Sequence, residues 1–573
     1  MFAKSNSDLR RMEGKKFGID QIMTILCFVL LLIIVVAPVG MILYNAVWDT
    51  TAHRVDLSMF KTVILQKENI TAMRNTLVIG ILTTLFATLI GVFFAWLLAR
   101  SDIPMKKVMK WLFTIPFMIP PFLGAMAWDM MLSARGGYVN RYLMNVFHLD
   151  KAPLNVNSIW GIILVETIYM FPFVYNQVAA ALERMDPTLE ESARIAGAKQ
   201  FYVIRKVTLP LVVPAISSGM LLVLITSLAN YGIPAMLGFS AKIYTLPTKI
   251  VDVMEQANGS FVGIRQATIL SLLLIVVVGI ALYIQNRVMN VGRYDIIKGK
   301  SMRPTLIKLR GAKYPLLVFS LLFLLIVVIA PLVMILLVSF LKGYGLPFKF
   351  ENFSLKNYNQ IIFQNNTVAM AAKNSLFLAF SAGFICLFLG VMLSFVIHKV
   401  RPRGRGVLEM LAVLPYSLPG TVLAIGCILA WSGAFGINLY NTIWIILIAY
   451  AARYLSYTLK SCSASLQQVH SSLEEASRMC GASRLESLTD VTVPLIKPAM
   501  VSSFFLVFLP AMRELTTSVL LVGPNSKTLG VSIYQLRSGG YMAPAAALSV
   551  ITIGIIMICN AVVKSIVKDK KGV

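Results

Sequence analysis

The sequence predicts an all-α, polytopic membrane protein of about twelve transmembrane helices, arranged as two parallel six-helix repeats. Three observations carry this. The 573 residues are 58% hydrophobic and only 13% charged, with a mean hydropathy of +0.77, whereas soluble domains carry about 25% charged residues. Apolar runs near the length that crosses a hydrocarbon core of about 30 Å recur along the whole chain. The third observation is a polar stretch that occurs twice. Leu189-Glu190-Glu191-Ser192-Ala193-Arg194-Ile195-Ala196-Gly197 is matched by Leu473-Glu474-Glu475-Ala476-Ser477-Arg478-Met479-Cys480-Gly481, and Val207-Thr208-Leu209-Pro210 by Val491-Thr492-Val493-Pro494. Both matches hold one offset in numbering, 284, as from Gly197 to Gly481.

Taken in order, the spans are expected near 21–45, 74–99, 107–132, 157–182, 207–230 and 263–288, then 314–341, 373–399, 405–432, 439–466, 493–517 and 542–567. The first follows Arg10, Arg11, Lys15 and Lys16; it is too long for a signal-peptide core and reads as an uncleaved span. Asn75, Gly91, Pro116 and Pro120 match Asn374, Gly390, Pro415 and Pro419 at an offset of 299, and Trp160 matches Trp444 at 284. The change of offset puts an insertion in the first half, and the loop from Ser133 to Ser158 is the natural place, since loops tolerate insertion. Ala37-Pro38 and Ala330-Pro331 pair at 293. The expected units are residues 1–289 (six spans), a basic linker 290–313, and residues 314–573 (six spans).

Basic residues collect in alternate loops, including Arg100 to Lys110, Arg184 to Lys206, Arg287 to Lys313 and the Lys564 to Lys571 tail. That side is expected to be cytoplasmic, with both termini inside. The net charge of +27 is placed as the positive-inside rule requires, which argues against a nucleic-acid partner. The bilayer is the expected surrounding. Cys27, Cys386, Cys427, Cys462, Cys480 and Cys559 show no metal-ligand or CxxC spacing and read as small packing residues. No metal site and no cofactor are expected. GxxxxGK[ST], HExxH, Ser-His-Asp and paired-carboxylate constellations are all missing, so the chain is not expected to be an enzyme or to bind ATP through a P-loop.

The repeated stretch is expected to form two short helices, 188–197 and 472–481. Thr188-x-x-Glu191 and Ser472-x-x-Glu475 fit capping boxes, and Gly197 and Gly481 suit the left-handed position that ends a helix. Isolated helices of about two turns are marginal in water, so each needs a partner surface. Capping alone accounts for one glutamate. It does not account for the recurrence of the glutamate together with Arg194 or Arg478, the glycine and the proline.

Glu191-Ser192-Ala193, Gly197, Val207-Thr208-Leu209-Pro210 and Glu475-Ala476-Ser477, Gly481, Val491-Thr492-Val493-Pro494 resemble the signature of permease subunits of binding-protein-dependent ABC importers. The departures are a serine for an alanine in each copy, valine for isoleucine in both, and valine for leucine in the second. The resemblance implies the type I importer permease fold in a bacterial inner membrane, with substrate delivered by an extracytoplasmic binding protein. It further implies two cytoplasmic ATPase subunits that dock on the two coupling helices and drive alternating access. The residues it assigns to coupling are Glu190, Glu191, Ala193, Arg194, Gly197, Pro210, Glu474, Glu475, Ala476, Arg478, Gly481 and Pro494. Glu191 and Glu475 would pair with a basic residue of the ATPase.

Asn230-Tyr231-Gly232-Ile233-Pro234-Ala235-Met236-Leu237-Gly238 and Tyr244 to Ile250 are similar to a segment of fused ferric-iron permeases, which implies ferric iron as substrate. Thiamine and 2-aminoethylphosphonate permeases remain alternatives. Charged residues inside spans are costly and face the interior. Glu166, Arg453, Arg513 and Glu514, with Asn230, are candidates for the translocation path or an interior ion pair, Glu514 being expected to pair with Arg453. Asp129 is expected to be wetted at a span end, and Pro120-Pro121 and Pro510 to mark kinks. A proton-coupled secondary carrier shares the gross topology, but Arg100-Ser101-Asp102-Ile103-Pro104-Met105-Lys106 does not look like such a carrier's basic motif. Neither a carrier nor a membrane scaffold needs paired docking helices.

Overall fold

The computed structural model describes residues 19–49, 53–186, 188–257, 260–291, 306–364 and 366–568. The expected N-terminal cations, most of the 290–313 linker and the end of the basic tail lie outside the described residues. Among the described residues the elements are helices, apart from one two-residue strand pair, Trp48–Asp49 with Arg54–Val55.

Among those residues nine helices are long and apolar enough to cross a membrane, and two bent pairs raise the number to eleven. The remaining expected span is the helix Ile443–Leu466. It carries Arg453, Lys460 and a series of serines and tyrosines, and so is more polar than the others. The bent pairs are the third spans. Lys106–Pro116 turns by 95° into Pro121–Leu132, and Arg405–Ser417 turns by 112° into Gly420–Trp431. Proline lacks the N–H that would continue the helix, and Pro120 and Pro419 both sit at extended ψ angles, 125° and 141°.

The duplication visible in the residues is repeated in the helix ends. Ile159–Arg184 and Ile443–Leu466 begin at the 284 offset. Leu209–Leu228 and Val493–Met512 begin and end at it, as do the preceding π-helical turns Ile204–Thr208 and Leu488–Thr492. Pro121–Leu132 and Gly420–Trp431 hold the 299 offset at both ends. The insertion in the first half forms a helix of its own, Tyr138–Phe147. It reaches the other half: Arg141 Nη1 donates to Gly345 O at 2.6 Å and Tyr138 Oη to Leu346 O at 3.1 Å.

Matched residues make matched contacts. A Cβ on Gly91 would lie 2.8 Å from that of Val174, and one on Gly390 would lie 2.4 Å from Thr458 Oγ1. Glycine at both places lets the second and fourth helices of each half touch. Asn75 Nδ2 donates to Tyr244 O (2.9 Å), and Asn374 Nδ2 to Lys527 O (3.0 Å).

The first span of each half leans on the other half. Ala37–Val47 packs against Gly420–Trp431, and Ala330–Phe340 against Pro121–Leu132. Gly426 permits the first contact, since a Cβ there would meet Pro38 O at 2.7 Å. The most apolar window of the first span is only 28% buried, against 72% for Ile159–Arg184. The fourth helix is therefore central and the first peripheral.

Candidate functional site

The two short helices are Thr188–Ile195 and Ser471–Met479. Their N-termini are not held by capping boxes. Asp186 accepts the Thr188 N–H (2.9 Å) and its hydroxyl (2.7 Å), and these bonds, the backbone one foremost, hold the Asp186 carboxyl below the usual range. In the second copy the ring of His470 accepts the Ser472 N–H at 3.4 Å. Asp186 and His470 are again matched at the 284 offset. The capping-box reading chose the threonine and serine because they stand three positions before a glutamate; the acceptors lie two positions earlier.

Both C-termini close in one way. Gly197 N–H donates to Arg194 O (2.9 Å) and Ala198 N–H to Ala193 O (3.0 Å), while Gly481 and Ala482 donate to Arg478 O and Ser477 O (3.0 and 3.2 Å). This is the Schellman pattern, and it needs the positive φ that Gly197 (84°) and Gly481 (91°) adopt.

The two glutamates of each copy divide. Glu190 is buried. Its Oε1 is 2.7 Å from Arg100 Nη2 and accepts the Thr208 hydroxyl at 2.6 Å; Arg194 Nη2 lies 4.0 Å from its other oxygen. Glu474 repeats this with Lys399 Nζ (2.9 Å) and the Thr492 hydroxyl (3.0 Å). Each helix is thus clamped to the end of the second span and to the π-helical turn before the fifth. Glu191 is half-buried, and Glu475, Ala476, Arg478 and Gly481 are exposed. Pro210 and Pro494 stand directly after the π-helical turns, at the second position of the fifth helices. Ala193 is half-buried on its helix.

Sequence reasoning did not single out Thr208, Thr492, Arg100 and Lys399 as parts of these clamps. The threonines carry a signal, since both stand directly before the Leu-Pro or Val-Pro pair. It also missed Ile195 and Met479, each 88% exposed, which are apolar residues at one position of both copies. Cys480 is exposed rather than a packing residue, whereas Cys27, Cys386, Cys427 and Cys462 are buried.

A cavity of about 650 Å³ lies between the halves. It is lined by the bends of both third spans and by the fourth and fifth helices, and Asn230, Arg453, Arg513 and Glu514 are on its wall. Arg453 Nε lies 3.8 Å from Glu514 Oε2. Glu514 Oε1 accepts the Thr517 N–H (2.9 Å) and hydroxyl (3.1 Å), and Tyr454 donates its hydroxyl to Oε2. The fifth helix ends at Met512, so Arg513 and Glu514 are not constrained to diverge as neighbours on a helix, and both line the cavity. Glu166 is fully buried behind Asn230, with Asn230 Nδ2 (3.0 Å), Thr83 Oγ1 (3.4 Å) and Ser227 Oγ as donors.

Asp129 is not wetted. It is buried and paired with Arg537 of the other half at 2.9 Å, and it accepts Asn157 Nδ2 at 2.9 Å. The partner lies 408 residues away, beyond the reach of any local reading.

The profile of the binding-protein-dependent transport system inner membrane component family matches residues 87–290 and again 386–571. The chain belongs to this family. The starts of the two matches repeat the 299 offset already seen in the second and third spans, so the permease carries two copies of the family's domain in one chain. It is 26% identical to a putative ferric transport system permease protein of Haemophilus influenzae, over 91% of this chain and 81% of that one. It is 26% identical to a ferric transport system permease protein of Actinobacillus pleuropneumoniae, over 96% and 78%. A putative 2-aminoethylphosphonate transport system permease protein of Salmonella paratyphi A is 29% identical over 34% of this chain and 73% of its own. The all-α, multi-span expectation and the two-half family assignment both stand.

Proposed function

We propose that this permease is the membrane subunit of an ABC importer for ferric iron. An extracytoplasmic binding protein delivers the substrate, and two ATPase subunits, one on each short helix, drive alternating access of the two halves. The observation that carries this is the duplicated clamp. Glu190 with Arg100 and Thr208, and Glu474 with Lys399 and Thr492, fix each helix to its bundle while Ile195 and Met479 stand in solvent. A knob held rigidly from behind and left bare in front transmits force applied to its front.

Within that reading, Glu191 and Glu475 meet basic residues of the ATPases, Arg194 and Arg478 stand at or beside the contact, and Gly197 and Gly481 turn the chain away from it. The clamped side is cytoplasmic, with both termini on it, and the membrane is the bacterial inner membrane. Residues 1–289 and 314–573 are the two permease halves, joined by the 290–313 linker. ATP hydrolysis belongs to the separate subunits.

The nearly full-length likeness to ferric permeases supports iron. The 2-aminoethylphosphonate relative supports a second reading, in which the same machine carries a phosphonate. Uptake of radioactive iron and of labelled 2-aminoethylphosphonate by cells whose only such system is this transporter separates the two. Iron accumulation that stops on ATP depletion is expected. Accumulation of the phosphonate without iron would replace the first reading by the second.

A further inference from the structure

The cavity between the halves is charged on one wall only. Its formally charged lining residues are Arg453, Lys460, Arg513 and Glu514, three cations against one carboxylate, and all four belong to the second half. At the 284 offset the first half has Tyr169, Asn176, Ala229 and Asn230. The fourth and fifth helices nevertheless start at matching places in both halves. The helical frame forms without these charges and does not require them.

A charged residue inside a membrane helix is costly unless it is paired or wetted, and Arg453 lies within Ile443–Leu466. Three cations against one carboxylate leave the wall with a net positive charge. Glu514 is paired with Arg453 and is shared with neutral donors. Three of its bonds come from Thr517 and Tyr454, neutral donors, and Arg453 stands off at 3.8 Å. Arg453 Nη1 is buried with no hydrogen-bond partner. Glu166 is bonded to Ser227, Thr83 and Asn230 and is not on the cavity wall. Guanidinium groups match carboxylate and phosphate oxygens in geometry as well as charge, and Tyr416 and Tyr457 line the same cavity.

The geometry points to an anion-accepting cavity in which Arg453, Arg513 and Lys460 receive the cargo as a compact oxyanion, or as a metal ion enclosed in anionic oxygen ligands with net negative charge. The inference rests on the reading of this chain as a permease whose path runs through this cavity. If the cargo is ferric iron, it crosses with its positive charge already overcompensated by oxyanions. A bare trivalent ion, or a cation such as thiamine, meets two net positive charges and is repelled.

The test reads the cavity's charge preference on the full chain in lipid nanodiscs, with no metal present. Phe173→Trp places an indole on the neutral wall, and its fluorescence is obtained as the difference from the parent chain. Iodide and caesium serve as quenchers of opposite charge. Iodide is expected to quench the added indole several-fold more strongly than caesium, since a one-signed cleft concentrates counter-ions by about tenfold or more. Lys460→Gln should shrink that preference and Lys460→Arg should keep it; position 460 is exposed, so neither change threatens the fold. Caesium quenching as strongly as iodide, or a preference untouched by Lys460→Gln combined with Arg513→Gln, would overturn the inference. Iodide preference in a transporter that accumulates no iron would remove the ferric reading and leave the anion cavity. Caesium preference in one that does accumulate iron would do the reverse.

Discussion

Arg100 and Glu190 form a buried ion pair at 2.7 Å, with side chains only 1% and 3% exposed. It joins the end of the second span to the short helix ninety positions later. Removing one partner strands the other charge, which costs about 3–5 kcal/mol. Glu190→Ala is therefore expected to lower the thermal midpoint and yield of the detergent-solubilised protein sharply. Glu191→Ala, one position along and without such a partner, should change stability by less than about 0.5 kcal/mol. Equal effects at both positions would contradict the division of roles between the two glutamates.

Ile195 and Met479 are each 88% exposed at matched positions. A hot-spot side chain at the centre of an interface is worth about 2 kcal/mol, roughly thirtyfold in affinity. Ile195→Asp and Met479→Asp should leave the melting curve of the permease unchanged while each reduces capture of the ATPase subunits by about that factor. Retained capture in the double variant would place the contact elsewhere.

Asp129 and Arg537 tie the two halves together at 2.9 Å, and Arg537 also donates to Met236 O. A double-mutant cycle with Asp129→Asn and Arg537→Gln should show coupling of at least about 1 kcal/mol in thermal unfolding. Strictly additive losses would mean that the contact holds nothing.

The first short helix begins at Asp186, whose carboxyl the Thr188 bonds hold below the usual range. A lowered native value means that the cap's contribution is complete above the ordinary aspartate range, near about 3.9. It is lost as pH falls through the lower native value. Amide exchange at Leu189 to Glu191 should accordingly show no cap-dependent change between pH 7 and 5, and Asp186→Ala should speed that exchange at both. Unaltered exchange in the variant would remove Asp186 as the cap.

Much of this was legible in the residues, because duplication writes a pattern twice. Constant offsets marked the helix boundaries of the fourth and fifth spans, and Pro120 marked the bend of the first half's third span; its match Pro419 stands at the other bend. The extra helix Tyr138–Phe147 fell in the loop where the offset changes. What stayed hidden depends on distant partners. Which glutamate of each pair turns inward is set by Arg100 and Lys399, each dozens of positions away. Asp129 looked wetted because Arg537 is invisible to a local reading. The packing of each first span on the opposite half is a property of the assembled bundle, and no periodicity records it. The fourth span of the second half is more polar than its counterparts because Arg453 and Lys460 line the cavity.

The central claim is that two clamped helices turn nucleotide hydrolysis on separate subunits into movement of this bundle. Proteoliposomes holding the complete transporter allow ATP-dependent uptake and hydrolysis to be measured together, for the parent and for Glu191→Arg with Glu475→Arg. Uptake at background in the variant, with the permease still folded and inserted, is the predicted result. Uptake at the parental rate in the variant, or by the permease without its ATPase subunits, would contradict the claim.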